Sequence, residues 1–386
     1  MIQRTAVRTH TFTESVIRDM TRVARRYDAI NLSQGFPDFS APQLLKDAAC
    51  RAIQDNVNQY AITWGTPGIR QALVRKYAEW YGIEVDGDRE ITVTCGATEA
   101  MAAVMLAAVD PGEEVIVFEP FYENYGPDAI LSAAAPVFVP LDPPGFRLDP
   151  DRLRSAVTER TRAIVINTPN NPSGRVFDHD EMNAVAEICL EHDVLAITDE
   201  IYEHIIYEGE HIPLAGLPGM RDRTIIISGL SKTFSVTGWR VGTIVAPPYL
   251  TAAIRKVHDF LTVGAPAPLQ EACAAGIDTL GRDYYDAIAR DYLERRDILY
   301  AGLRDAGFRC NPPEGAYYIM ADFSDLSSLD DTAFSHYLAR ECGVAPVPGS
   351  SFYNSAEDGR KLVRFAFCKQ AGTLERAVAR MRDFFG

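Results

Sequence analysis

The 386-residue chain has little positive charge: 38 lysine and arginine residues stand against 53 aspartate and glutamate residues, a net charge of −15. Nucleic acids and anionic membrane surfaces bind proteins through an excess of positive charge, so we expect neither as a partner. A buried phosphate site stays open, because it needs only a few local donors.

Paired cysteine motifs and long apolar runs are also missing. The seven cysteines are scattered and form no C-x-x-C pair, which fits reduced thiols in a cytosolic protein better than a disulfide framework or a zinc site. No apolar run approaches the roughly 20 residues that span a bilayer, and the N-terminal segment has no apolar signal-peptide core. The sequence therefore predicts a soluble cytoplasmic protein without a metal site.

Short apolar runs alternate with helix-like stretches through the middle of the chain. Continuous apolar runs are typical of strands covered on both faces in a mainly parallel sheet, and their alternation with helices predicts an α/β fold. The last third begins with a long predicted helix at 283–306 and continues as a mixed α+β pattern. We expect a large domain over residues 46–282 and a smaller α+β domain built from residues 1–45 and 283–386. The predicted strands cover residues 91–95, 114–118, 163–167, 194–198 and 224–228.

Residues that follow the predicted strands are the first candidates for a site, because ligands of open α/β sheets bind beyond the carboxyl ends of the strands. Gly96, Ala97 and Thr98 follow the first predicted strand, where small residues and a helix N-terminus suit a phosphate. Taken alone, these residues are more often a plain strand-to-helix turn. Asn171 lies in a proline-fixed loop after the third predicted strand, which is either a held amide or a well-made turn. Asp199 after the fourth is either a ligand contact or a helix N-cap.

Lys232 follows the fifth predicted strand, beside small residues and without an obvious role in solvation. Together with NTPNNPSG (167–174), DEIY (199–202) and SGLSKTFSVTGWRVG (228–242), it forms a set of motifs. In order and spacing this set resembles the class I/II aminotransferases, enzymes of fold type I that use pyridoxal 5′-phosphate (PLP). The resemblance runs from NLSQGFPDFS at 31–40 to VRFAF at 363–367 and so covers nearly the whole chain.

The resemblance implies a PLP-binding large domain with a mainly parallel central sheet flanked by helices, and it assigns three catalytic residues. Lys232 would hold PLP as a Schiff base and then move the Cα proton of the substrate. Asp199 would face the pyridine nitrogen and keep it protonated. Tyr202, together with Asn171, would hydrogen-bond the phenolic oxygen of the ring and tune the pKa of the Schiff base.

The remaining PLP contacts are also implied by the resemblance. A serine hydroxyl would reach the phosphate from Ser231 or Ser228; both stay open, because relatives often have a serine three residues before the lysine, where this chain has Gly229. Tyr60 matches a tyrosine that reaches the phosphate of the neighbouring subunit, which implies a homodimer with shared active sites. The other assigned contacts are Gly96, Ala97, Thr98, Tyr122 and Arg240.

Substrate contacts are expected from both ends of the chain. Arg364 matches the arginine that grips the substrate α-carboxylate through a two-pronged bond, and Gly35 and Asn171 would add contacts. NLSQGFPDF and VPGSSFY are closest to the branch of kynurenine, glutamine and methionine aminotransferases. Ile17 stands where relatives acting on aromatic or sulfur substrates often have a tryptophan, so we expect a different pocket wall.

The leading hypothesis is transamination by a ping-pong mechanism, in which an L-amino acid gives up its amino group and a 2-oxo acid receives it. A PLP-dependent lyase or cyclase is the alternative, because β-elimination, γ-substitution and ring formation start from the same Cα carbanion. A PLP-sensing regulator is disfavoured, since NLSQGFPDF begins at residue 31, too early for a preceding DNA-binding domain, and the charge is wrong for DNA.

Overall fold

The computed structural model describes residues 4–386; the first three residues of the predicted small domain lie outside the described residues. Within residues 4–386 the helices are α1 (Val16–Arg26), α2 (Gln43–Gln54), α3 (Pro67–Tyr81), α4 (Ala97–Ala108), α5 (Tyr125–Leu131), α6 (Pro150–Ala156), α7 (His179–Glu191), α8 (Pro248–Leu261), α9 (Ala267–Thr279), α10 (Arg282–Asp305), α11 (Asp331–Tyr337), α12 (Ala356–Gly359) and α13 (Ala371–Phe385). The strands are β1 (Ile30–Asn31), β2 (Ile91–Thr94), β3 (Glu114–Glu119), β4 (Ala135–Pro140), β5 (Thr161–Asn167), β6 (Leu195–Asp199), β7 (Thr224–Gly229), β8 (Gly242–Val245), β9 (Tyr318–Asp322), β10 (Val344–Ala345), β11 (Val347–Pro348) and β12 (Leu362–Ala366).

The large sheet has the order β2-β8-β7-β6-β5-β3-β4. Every neighbouring pair from β7 to β4 is parallel, whereas β8 runs antiparallel to both of its neighbours. This arrangement confirms the predicted mainly parallel sheet. Strands β3, β6 and β7 are buried along their whole length, which explains why they read as continuous apolar runs.

Helices cover both faces of this sheet, and alternate residues of β5 pack against helices on opposite faces. Ile164 and Ile166 of β5 pack in a core with Val185 of α7. Val165 between them packs in a second core with Val104 of α4. Strand β5 therefore buries side chains on both of its faces, which is why its sequence is a continuous apolar run.

Two strands of the large sheet were not predicted from the sequence. Edge strand β4 has exposed ends and two prolines, which are tolerated only where one side of a strand needs no partner. Strand β8 is only four residues long and follows the glycine- and arginine-containing loop after Lys232.

A separate three-stranded antiparallel sheet, in the order β11-β12-β9, forms from the last part of the chain. Strand β1 near the N-terminus pairs with β10, so that Ile30 lies opposite Val344. The helix predicted at 283–306 is α10, Arg282–Asp305. The domain boundaries proposed at residues 45/46 and 282/283 stay a prediction.

The fold places polar residues from several strands at one edge of the large sheet. Strands β5, β6 and β7 are parallel and in register, with Asn167 opposite Asp199 and Asp199 opposite Ile227. Their carboxyl ends therefore meet at the same edge, where the segment carrying Lys232 leaves β7. Within residues 4–386 no helix combines the length and apolar character needed to cross a bilayer.

Candidate active site

A cavity of about 410 Å³ lies at this edge, between the large sheet and strand β12. Most of the residues predicted from the sequence line it. A larger cleft of about 650 Å³ has none of them in its wall. The predicted residues that line the smaller cavity are Ile17, Gly35, Ala97, Thr98, Tyr122, Asn171, Asp199, Tyr202, Ser231, Lys232, Arg240 and Arg364.

Three candidate cofactor-binding residues from the sequence, Gly96, Ser228 and Tyr60, do not line this cavity. Gly96 precedes α4 and contributes its backbone conformation, with φ at +84°. Ser228 donates its hydroxyl to the Glu203 carboxylate at 2.7 Å, so of the two serines only Ser231 faces the cavity. Tyr60 lies on the surface with 89% of its area exposed; its predicted reach into a neighbouring subunit stays a prediction.

Lys232 extends from the loop after β7 into the cavity, where its Nζ donates to the Gly35 carbonyl at 3.4 Å. Desolvation lowers the pKa of Lys232 to about 8, because a charged ammonium loses hydration in this site. A large fraction of this amine is therefore neutral at slightly alkaline pH and able to act as a nucleophile or base.

Asp199 is buried at the end of β6, and its carboxylate has two hydrogen-bond donors. The Tyr125 hydroxyl donates to Oδ2 at 2.7 Å, and the Ile201 N–H donates to Oδ1 at 3.3 Å. Burial nonetheless raises the pKa of Asp199, against the opposing effect of these hydrogen bonds. A protonated nitrogen facing this carboxylate would stabilise its charged form. Tyr125 was missed from the sequence, where only its distance of three residues from Tyr122 could have pointed to it.

Arg364 is fully buried on β12, and no carboxylate among the described residues forms an ion pair with it. Its guanidinium donates to Asn171 Oδ1 at 2.8 Å and to the Ser33 carbonyl at 2.6 Å, while Nε has no partner within residues 4–386. A buried cation without a counter-charge is costly. Its position in the cavity wall therefore suits an anionic ligand.

Tyr318 is a second residue that the sequence did not indicate. Its hydroxyl lies 3.0 Å from the Tyr202 hydroxyl, and the Arg364 guanidinium stands 4.2 Å from its ring centroid. A Cβ on Gly35 would lie 2.0 Å from the Tyr318 hydroxyl. Glycine is therefore required at position 35 by this close approach.

The N-terminus of α4 forms a polar corner of the cavity with Arg240 and Ser231. Arg240 donates to the carbonyls of Cys95 and Thr237 at 3.3 and 3.1 Å. A Cβ on Gly96 would lie 2.3 Å from the Arg240 guanidinium, so glycine allows the arginine to lie against the helix terminus. Free backbone N–H groups, the helix dipole and a guanidinium together suit a phosphate.

The mouth of the cavity carries two further charged side chains that sequence reasoning did not select. Arg18 follows the buried Ile17 on α1, and among residues 4–386 no carboxylate lies within ion-pair distance of its guanidinium. Glu123 accepts a hydrogen bond from Ser15. Arg18 therefore has donors available for the distal part of a bound molecule, whereas Glu123 is already engaged by Ser15.

A buried charge cluster lies behind the cavity. Oxygen and nitrogen atoms of Glu200, Glu203 and His211 approach within 4.8 Å of one another. Lys76 Nζ lies 2.5 Å from Glu203 Oε1 and supplies a positive charge to this group. The cluster therefore holds its own cation, and it ties α3 to the segment that carries Asp199 and Tyr202.

Comparison with known proteins identifies the family. The family "Aminotransferase class I and II" matches residues 27–381, and the chain belongs to that family. It is 41% identical to a probable N-succinyldiaminopimelate aminotransferase of Mycobacterium tuberculosis, over 98% of each chain. The solved structure of the N-succinyldiaminopimelate aminotransferase from that organism has a TM-score of 0.95 and covers 98% of this chain and 99% of its own.

Two further relatives confirm the predicted branch. A methionine aminotransferase of Escherichia coli is 38% identical, over 96% of this chain and 95% of its own length. The human kynurenine–oxoglutarate transaminase 3 is 35% identical, over 93% and 86% respectively. The predictions of a fold type I architecture, of PLP as cofactor and of aminotransferase activity are confirmed by these matches.

The residues of the cavity fit PLP on chemical grounds. The polar corner at α4 suits the phosphate, the buried Asp199 suits a protonated ring nitrogen, and Lys232 offers an amine of lowered pKa. Among residues 4–386 the Nε of the buried Arg364 has no acceptor, so it is available as a donor to a carboxylate.

Proposed function

We propose that the chain transfers the amino group of an L-amino acid to a 2-oxo acid by a ping-pong mechanism, with PLP attached covalently at Lys232 Nζ. The observation that carries the proposal is the presence of a lysine amine of lowered pKa and a buried guanidinium in one cavity. Lys232 has a pKa lowered to about 8, and Arg364 is fully buried with no ion-pair partner among the described residues. The Lys232 amine suits the aldehyde carbonyl of PLP. The Arg364 guanidinium suits the carboxylate of an α-amino acid.

When bound, PLP supplies a carbonyl that exchanges with an amine and a pyridinium ring that accepts the electron pair left by the Cα–H bond. Arg364 would hold the α-carboxylate and so orient the Cα–H bond. The neutral Lys232 Nζ would take the proton from Cα. Asp199, held by Tyr125, would keep the ring nitrogen protonated, and Tyr202 would donate to the phenolic oxygen.

A single-turnover experiment separates transamination from elimination or cyclisation. Purified holoenzyme is mixed with one L-amino acid in the absence of any 2-oxo acid, and the products are quantified. We expect about one equivalent of the matching 2-oxo acid per active site and no free ammonia, because the amino group stays on the enzyme. Release of ammonia over many turnovers would contradict transamination and support the lyase alternative.

The assignment of Lys232 is tested by reduction with borohydride followed by peptide mapping. The reduced phosphopyridoxyl group should appear on the peptide containing Lys232, and Lys232→Ala should abolish it. Lys369→Ala is the matched control, because Lys369 is also a buried lysine near the site, but its Nζ donates to the Phe36 carbonyl at 2.7 Å. A label on another lysine, or one that survives in Lys232→Ala, would show that Lys232 is not the attachment site.

We also propose a homodimer with shared active sites. Near Tyr60, the structure exposes apolar side chains that a monomer would leave in water: Phe260 is 94% exposed, and Ile62, Leu261 and Val263 are 44%, 45% and 46% exposed. The two segments adjoin, since His258 Nε2 lies 2.8 Å from the Thr63 carbonyl. Exposed apolar patches of this kind mark protein interfaces.

Light scattering on the purified protein tests this arrangement. We expect a mass of two chains, and Phe260→Glu should shift the population toward one chain. Mixing Lys232→Ala with Tyr60→Phe should restore one intact site per mixed dimer if Tyr60 acts across the interface. A fully monomeric active enzyme would overturn the proposal.

We further propose a cytoplasmic location and a substrate or acceptor that carries a second carboxylate. Seven free cysteines support a reducing, cytoplasmic environment. Arg18 at the cavity mouth supports a substrate or acceptor with a distal carboxylate, since an unpaired guanidinium there can form a charge-assisted bond. Arg18→Gln should then lower kcat/KM for 2-oxoglutarate severalfold more than for an apolar 2-oxo acid; equal effects on both would exclude this role.

A further inference from the structure

The Tyr202 and Tyr318 hydroxyls form a buried pair at the centre of the cavity. Their oxygens are 3.0 Å apart, and either could be the donor. Both side chains are almost fully buried, at 3% exposure each. The direction of this one hydrogen bond therefore decides where the Tyr202 proton can point.

The direction of the hydrogen bond between Tyr202 and Tyr318 follows from the number of protons, once Tyr202 also contacts the phenolic oxygen of PLP. A tyrosine hydroxyl donates one proton and accepts through its lone pairs. If the Tyr202 proton goes to the phenolic oxygen of PLP, as in the proposed function, the bond between the two tyrosines has to be donated by Tyr318.

The surroundings of Tyr318 favour this direction. The neighbouring Gly35 carbonyl already accepts from Tyr317 Oη at 3.0 Å and from Lys232 Nζ at 3.4 Å. Arg364 lies against the Tyr318 ring and offers only donors. The Tyr202 hydroxyl lies within hydrogen-bond distance of the Tyr318 hydroxyl, whereas the neighbouring Tyr317 directs its own proton to the Gly35 carbonyl. The nearby cation makes the Tyr318 O–H a better donor.

Other titratable groups face this pair from every element around it. Asp199 comes from β6, Lys232 follows β7, Tyr122 follows β3, and Tyr317 and Cys368 flank β9 and β12. They are common to the wild-type protein and to each variant below, so comparison between variants isolates the Tyr318 hydroxyl.

We infer that Tyr318 is a positioning residue whose hydroxyl donates to Tyr202 Oη and directs the Tyr202 proton toward the phenolic oxygen of PLP. The inference rests on the proposed attachment of PLP at Lys232. A donor behind Tyr202 polarises its O–H bond and strengthens the bond that it donates. The phenolic oxygen then binds a proton less tightly, so the pKa of the bound cofactor is lowered.

The test is a pH titration of the visible absorption of holoenzyme. A neighbouring hydrogen bond strengthens the next by roughly 10–30%, and a bond to a charged acceptor corresponds to about one to two pKa units. Tyr318→Phe should therefore raise the apparent pKa of the absorption change by about 0.1–0.6 unit. Tyr202→Phe should raise it by about one to two units.

The double variant shows whether Tyr318 acts through Tyr202. In the Tyr202→Phe background, adding Tyr318→Phe should give no further shift, because the intermediate hydroxyl is gone. Tyr207→Phe is the matched control: its hydroxyl donates to the Ala316 carbonyl and does not line the cavity, so the pKa of the cofactor should not change. Thermal unfolding of each variant checks that the fold is retained.

Three outcomes would overturn the inference. An unchanged pKa in Tyr318→Phe would remove the role of its hydroxyl, and a lowered pKa would mean that Tyr202 donates to Tyr318 instead. A shift that persists without the Tyr202 hydroxyl would show that Tyr318 acts directly. Failure of the proposed function is distinguishable, because a protein without Lys232-bound PLP would show no such absorption band in any variant.

Discussion

Replacing Arg364 by lysine keeps the buried positive charge but removes the forked guanidinium, so hydrogen bonds to the substrate carboxylate are lost. A guanidinium has five N–H donors, and two of those on Arg364 are used by Asn171 Oδ1 and the Ser33 carbonyl. Three remain, enough for a two-pronged bond to a carboxylate. A lysine ammonium has three donors; if it satisfies the same two acceptors, it keeps one for the substrate.

The Arg364→Lys variant thus loses about one charge-assisted hydrogen bond, or about 1.5–3 kcal/mol. At about 1.4 kcal/mol per factor of ten, kcat/KM for an L-amino acid should fall about 10- to 150-fold. The assay is the half-reaction with one amino acid, followed by the absorbance of the cofactor. With the amine that corresponds to this amino acid without its carboxylate, Arg364→Lys and the wild type should react at nearly the same rate.

Arg296→Lys serves as the control variant, because Arg296 is also a buried arginine but pairs with Glu208 outside the cavity. Its kinetics should stay close to those of the wild type. If Arg364→Lys slows the amino acid and the carboxylate-free amine equally, or slows neither, Arg364 does not bind the substrate carboxylate.

Three further predictions concern Lys232, Tyr125 and Lys76. With a pKa of about 8, the neutral fraction of Lys232 rises about tenfold from pH 7 to pH 9, so the rate of PLP uptake by apoenzyme should rise about tenfold; an ordinary lysine would give about a hundredfold rise, which would contradict the lowered pKa. Tyr125→Phe removes a donor that lowers the pKa of Asp199 and should weaken PLP binding about 10- to 150-fold by equilibrium titration; unchanged affinity would refute a role for Tyr125. Lys76→Met leaves the buried Glu203 without its cation and should lower the free energy of unfolding in urea by about 3–5 kcal/mol. Adding Glu203→Gln should recover most of that loss, and no recovery would mean that packing rather than charge is responsible.

The residues that follow parallel strands could be found from the sequence alone. Asp199 ends β6, and Asn171 and Lys232 lie four and three residues beyond the ends of β5 and β7. The register of these strands brings their ends together. Chemistry at such an edge follows from local pattern and strand direction. Arg364 and Ile17 were reached only through the family resemblance, because nothing local links the ends of the chain to this edge.

Three cavity residues, Tyr125, Tyr318 and Arg18, are marked by no sequence motif and are evident only in the structure. Tyr125 and Tyr318 read as ordinary apolar residues in α5 and β9, and their hydroxyl partners are 74 and 116 positions away in the chain. Arg18 reads as one surface charge among many on α1. Side-chain hydrogen bonds between distant segments depend on packing, which the order of residues does not reveal.

The sequence by itself determined the parallel α/β core and the family, because apolar periodicity and short strand-end motifs are local properties. Through the family resemblance it also predicted Lys232 as the lysine that holds PLP. Only the tertiary structure decided between Ser231 and Ser228: Ser231 faces the cavity, while Ser228 lies within β7 and donates to Glu203. Likewise, Lys232 has a pKa of about 8 only because the fold takes its ammonium out of water. Burial and the direction of side chains are set by contacts between distant segments, and these exist only once the chain has folded.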